Sequence, residues 1–247
     1  MKKIITLIIF VLAVLPAFTQ EIVNFVLVGK NGITEDIKEA LSFIVIKQYP
    51  DRFQRLDYKI GLPLERIQNY SDSTLKILDG HYYEYSFIGA LTISGTYINN
   101  LKEKDWYYYN DTGKVILEQK YEMGVLINTV NPDTVKKKNP GDGKLKDGES
   151  EARFGKGEKD WVDYLRRNWD HEAIEKSVQG GKVRVGFTVN TSGQCTDVYL
   201  RRSAEFVLDE AGIRLIENSP PWQPAIQDGK KVNAYRVQPF TYLKEEN

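Results

Sequence analysis

Between Lys182 and Asn190 apolar and polar positions alternate one by one. Val183, Val185, Phe187 and Val189 interleave with Lys182, Arg184, Gly186, Thr188 and Asn190, the two-residue period of a strand with one face on a core. Asn190-Thr191-Ser192-Gly193 supplies four turn formers in a row, so the chain is expected to reverse into a hairpin. The return strand is Cys195 to Arg202, with Val198 and Leu200 on one face and Asp197 and Tyr199 on the other. From Leu208 the period lengthens. Leu208, Ala211, Gly212 and Leu215 fall on one side of a helix, with Asp209, Glu210, Arg214 and Glu217 expected to face outward. Pro220-Pro221 stops this helix at Ser219, since proline disfavours helical geometry before it and lacks an amide donor. Trp222 falls just beyond, placed to cover the sheet. After Gln227-Asp228-Gly229, Lys231 to Leu243 alternates again as a last strand, and Pro239 inside it marks that strand as an edge.

Upstream the pattern is looser. Lys159 to Trp169 carries Trp161, Tyr164, Leu165 and Trp169 at one-face helical spacing. Asn131 to Gly157 is rich in Pro, Gly, Lys and Asp and poor in apolar residues, the composition of a flexible linker. From Asp79 the chain repeats itself: Tyr83, Tyr85, Gly89 and Tyr97 recur 24 residues later as Tyr107, Tyr109, Gly113 and Tyr121. Each unit reads as an aromatic strand, a glycine turn and a second strand, a hairpin that stacks on its neighbour. The units over 79–128 resemble MORN-like repeats of the YwqK type, which implies a scaffold or binding surface without catalytic apparatus. Earlier still, Ile22 to Val28 reads as a strand. Glu35 to Gln48 reads as a helix, with Ile37, Leu41, Ile44 and Val45 as its core face.

The segment Gly181-Lys182-Val183-Arg184-Val185-Gly186-Phe187-Thr188-Val189, the Ser192-Gly193 turn, Leu208-Asp209-Glu210-Ala211, Pro221-Trp222-Gln223-Pro224 and Gly229-Lys230-Lys231-Val232 together resemble the C-terminal domain of the TonB family over about 158–243. Trp169-Asp170 stands where that family commonly has Tyr-Pro. The resemblance implies a small α+β domain in the periplasm of Gram-negative bacteria. It implies capture of a peptide from an outer-membrane, TonB-dependent transporter as an added strand, with an inner-membrane motor pulling through an N-terminal transmembrane helix.

The expected fold class is therefore α+β, an N-terminal antiparallel β-repeat sheet followed by a TonB-like β-β-α-β domain. Expected boundaries are a signal peptide at 1–19, an N-terminal domain at 20–128, a linker at 129–157 and the C-terminal domain at 158–247. On the last strand, an incoming strand would lie along Asn233, Ala234, Tyr235, Arg236, Val237 and Gln238. The competing reading is an edge guarded against pairing by Lys231, Arg236 and Pro239.

Charge and composition narrow the choice. Thirty-four basic residues balance thirty-four acidic ones, so no global field concentrates nucleic acid, and none is expected as a partner. Residues 1–19 pair two lysines with an apolar run from Ile4 to Leu15 and then Pro16, the pattern of a secretory signal, with an uncleaved inner-membrane anchor as the alternative. Combined with the periplasmic setting that the resemblance implies, the first gives a periplasmic chain and the second an anchored, periplasm-facing one. The lone Cys195 has no disulfide partner and reads as a sheet position. His171, Glu172 and Cys195 fall in different elements without a nucleophile motif, and no His/Cys cluster has metal-ligand spacing. No enzyme activity, cofactor or metal is expected. The expected partner is an envelope protein, the implied transporter or, for a soluble periplasmic adaptor or scaffold, some other one.

Overall fold

A computed structural model describes residues 21–133, 145 and 147–244; the expected signal peptide and the middle of the expected linker lie outside them. Residues 21–130 form one antiparallel sheet, a meander except at its first strands, where the first lies between the second and the third. Its strands are β1 (Glu21–Gly29), β2 (Gly32–Thr34), β3 (Ala40–Gln48), β4 (Phe53–Lys59), β5 (Leu64–Tyr70), β6 (Leu78–Tyr85), β7 (Leu91–Ile98), β8 (Leu101–Tyr109), β9 (Val115–Glu122) and β10 (Val125–Val130). They run side by side in the order β10-β9-β8-β7-β6-β5-β4-β3-β1-β2. The two turns read from the repeat are superposable in their bonding. Gly89 donates to the Ser86 carbonyl and Gly113 to the Asn110 carbonyl, both at 2.8 Å, with φ of 76° and 83°. Asn99-Asn100 and Met123-Gly124 close the alternate hairpins with φ positive at both residues, the twist that matches flanking strands.

The sequence reading of Glu35 to Gln48 as a helix is overturned: residues 40–48 are β3, paired with β1 on one side and β4 on the other. Ile44-Val45-Ile46 is a run of three β-branched side chains, which are stiff at χ1 and fit a pleated surface. Val45 and Lys47 turn inward, whereas Ile37 and Leu41, read as helix core, are 60% and 63% exposed.

The remainder carries α1 (Glu158–Asn168), α2 (His171–Lys176), β11 (Gly181–Val189), β12 (Cys195–Arg202), α3 (Phe206–Glu217), β13 (Ala225–Gln227), β14 (Lys230–Val232) and β15 (Ala234–Tyr242). β12, β11 and β15 form a three-stranded antiparallel sheet in that order. α3 packs on its apolar face, close enough that a Cβ placed at Gly212 would stand 3.1 Å from Val183 Cγ1, a tight contact. Trp222 caps that core against Phe187 (centroids 5.1 Å), Trp161 (5.4 Å) and Phe154 (5.6 Å). Among the described residues no helix is long and apolar enough to cross a membrane.

Two further expectations change here. The end of the expected linker is structural: Ser150 and Arg153 bridge to Ile226 and Gln223, and Ala152 and Phe154 are buried. A polar-rich composition concealed two apolar side chains at the spacing of a strand. The last strand is also not continuous from Lys231. Asp228-Gly229, both at positive φ, fold Lys230–Val232 back onto Ala225–Gln227 as a small hairpin, and β15 starts only at Ala234.

The meander and the C-terminal domain share a core. Asp209 and Glu210, expected on the outer face of their helix, are buried in the seam between them. Glu210 Oε1 meets Lys47 Nζ at 2.6 Å, and Asp209 accepts from Tyr58 Oη (3.1 Å), Ser203 Oγ and the Ala204 amide (2.9 Å). A helix wheel sees only one packing surface, and α3 has two.

Candidate functional site: the free margin of the C-terminal sheet

A three-stranded sheet has two margins, and the fold treats them differently. The β12 margin is covered by the meander at its C-terminal end, over Leu200 to Ser203. Ala90 bridges to Arg202, Ser203 donates to the Gly89 carbonyl at 2.9 Å, and Tyr85 Oη donates to the Leu200 carbonyl at 2.9 Å. Tyr83 stacks flat on Tyr199 with centroids 4.9 Å apart, and the Arg201 guanidinium lies over the Tyr109 ring and donates to the Gly113 carbonyl at 3.0 Å. The β15 margin is different. β15 pairs with β11 in unbroken register from Gly181↔Tyr242 to Val189↔Ala234, and no strand among the described residues pairs with its other side. One row of main-chain groups is thus left without a ladder partner.

The register assigns each face. Ala234, Arg236, Gln238, Phe240 and Tyr242 lie opposite Val189, Phe187, Val185, Val183 and Gly181, on the α3 side. Tyr235, Val237, Pro239 and Thr241 lie opposite Thr188, Gly186, Arg184 and Lys182, on the reverse face. Of the six residues expected to receive a strand, Ala234, Tyr235, Arg236, Val237 and Gln238 are on this margin, and Asn233 is the hinge between β14 and β15. Gly186 is needed beneath Tyr235, since a Cβ there would stand 2.5 Å from the Tyr235 hydroxyl. That hydroxyl shares a hydrogen bond with Tyr199 at 2.9 Å. Arg236 forms an ion pair with Glu151, so the segment expected to be linker reaches the start of the margin.

At the far end, Trp169 stacks on Tyr242 with centroids 4.8 Å apart. Asp170 caps α2 through the Ala173 amide at 2.9 Å and pairs with Arg214 at 2.7 Å. The residues that depart from the family's usual Tyr-Pro therefore anchor the domain entry. Sequence reasoning missed Glu151 and the Tyr199–Tyr235 pair, because both depend on contacts between distant segments.

No hydrogen bond joins His171 or Glu172, on α2, to Cys195 on β12, whose Sγ lies 3.7 Å from Ser219 Oγ. Burial pushes the Cys195 thiol up to about 11, which keeps it protonated at neutral pH. Among the described residues no group of His, Cys, Asp and Glu is placed to hold a metal.

Sheet, covering helix and a margin without a strand partner among the described residues define a small α+β module. Residues 171–243 match the family described as Gram-negative bacterial TonB protein C-terminal. The match supports a TonB-type protein-interaction module of the cell envelope, itself non-catalytic. It begins at α2 and leaves α1 and the meander outside. No curated protein and no solved structure matches the chain. The antiparallel hairpins are compatible with MORN-like repeats, but no family match supports that resemblance.

Proposed function

We propose that the C-terminal domain binds an extended segment of another envelope protein, in the periplasm, by adding it as a fourth strand beside β15 along Ala234 to Gln238. The observation that carries this reading is the asymmetry of the sheet. The meander occupies the Leu200–Ser203 end of the β12 margin, whereas no strand among the described residues pairs anywhere along β15 on its outer side. Main-chain pairing would supply affinity and the alternating side chains specificity. The partner class that fits the family match is an outer-membrane transporter. A second reading, a periplasmic adaptor acting on a different envelope protein, is favoured by the shared core of the meander and the C-terminal domain.

Photo-crosslinking residues placed at Tyr235 and Val237 test the proposal in intact cells, with amide exchange of β15 followed in parallel. Strand addition predicts one dominant envelope partner at both positions and slowed exchange on β15 when that partner's segment is added. Crosslinks confined to the meander, with β15 exchange unchanged, would sink it.

A further inference from the structure

The reverse face of the three-stranded sheet carries a basic row that ends at the open margin. Arg202, Arg184 and Pro239 are register partners across β12, β11 and β15, and in the next row of that face Lys182 is paired with Thr241. Lys182 and Arg184 are exposed. Among the described residues none of Lys182, Arg184 and Arg202 has a carboxylate within ion-pair distance, although eleven other such pairs are formed elsewhere. The β15 residues beside them, Pro239 and Thr241, are short. A strand added to β15 would lie two strand spacings, about 10 Å, from β11. Long cationic side chains crossing two short ones can span that gap to meet a carboxylate on the added strand.

The geometry points to an acidic partner: the segment that docks on β15 carries carboxylates at alternate positions on the face shared with Lys182 and Arg184. This rests on the strand-addition reading and sets its specificity. A free anion bound to the row fits less well, because the three cations are spread along the sheet surface with no buried donor to enclose it. An acidic side chain on a paired strand is held over them by the ladder.

The full chain is titrated with a synthetic peptide alternating valine and glutamate, and with matched peptides in which serine or lysine replaces glutamate, following both affinity and β15 amide exchange. Exposed ion pairs are individually weak and add over two positions, so the glutamate peptide is expected to bind about tenfold more tightly than the serine peptide at low salt. Lys182→Glu with Arg184→Glu should reverse the order in favour of the lysine peptide, and high salt should erase it. Equal binding of the glutamate and serine peptides, with β15 amides protected by both, overturns the acidic preference and leaves strand addition standing. Charge-dependent binding that never protects β15, or no binding by any peptide, overturns the inference together with the reading beneath it. Both substituted residues are exposed, and an unchanged melting temperature confirms that the variant is folded.

Discussion

Asp209 offers the sharpest test of how the two parts of the chain are joined. It is fully buried where α3 meets the meander, and burial raises its carboxyl to about 7 despite donation from Ser203, the Ala204 amide and Tyr58. Glu210 is the next residue, and the buried Lys47 ammonium is engaged by it at 2.6 Å, so a second ionised carboxylate has no cation of its own in this contact. Tyr242, whose buried hydroxyl has no hydrogen-bond partner among the described residues, also faces this region. In the unfolded chain an aspartate titrates near ~3.9. The folded value is therefore raised, and the sign follows: below about pH 4 both states hold the proton and the stabilisation is fully present. As pH rises toward 7 the unfolded state releases its proton first, and stability falls. Three pH units at ~1.36 kcal/mol each set an upper bound of about 4 kcal/mol. Asp209→Asn keeps the volume and one acceptor but cannot ionise. Urea unfolding of both proteins from pH 4 to pH 8 isolates the contribution, because other titrating groups cancel in the difference. Wild type should lose about 2–4 kcal/mol relative to the variant across that range. A difference curve that is flat, or that slopes the other way, would refute the buried-carboxyl argument.

Two other substitutions probe the packing. Gly89 and Gly113 hold equivalent turns at positive φ, but a Cβ at Gly89 would stand 2.0 Å from the Ser203 carbonyl oxygen, whereas one at Gly113 meets only Arg201 Nη2 at 3.2 Å. Thermal unfolding should show Gly89→Ala destabilised by at least ~2 kcal/mol more than Gly113→Ala, the left-handed strain being common to both. Trp222→Ala removes the ring that Phe187, Trp161 and Phe154 surround, and should cost ~3–5 kcal/mol and lower Tm by about 10 °C. An unchanged Tm would show that Trp222 does not hold the C-terminal core together.

Local pattern alone determined the β11–β12 hairpin, the proline stop of α3, Trp222 over the sheet, β15 as a margin and the glycine turns of the repeat. In each case the cause lies within a few residues: a two-residue period, a positive φ, a missing amide donor. What misled was any element with more than one packing surface. Ile37, Leu41, Ile44 and Val45 have helical spacing, yet pairing with β1 and β4 holds residues 40–48 extended. Asp209 and Glu210 look like solvated helix positions until Tyr58 and Lys47, about 150 residues earlier, close over them. Glu151 looks like linker until it reaches Arg236. Only the tertiary structure decided which margin of the C-terminal sheet stays open, because that depends on where the meander comes to rest. Alternation tells a strand which way its side chains face and carries no information about what arrives on either side.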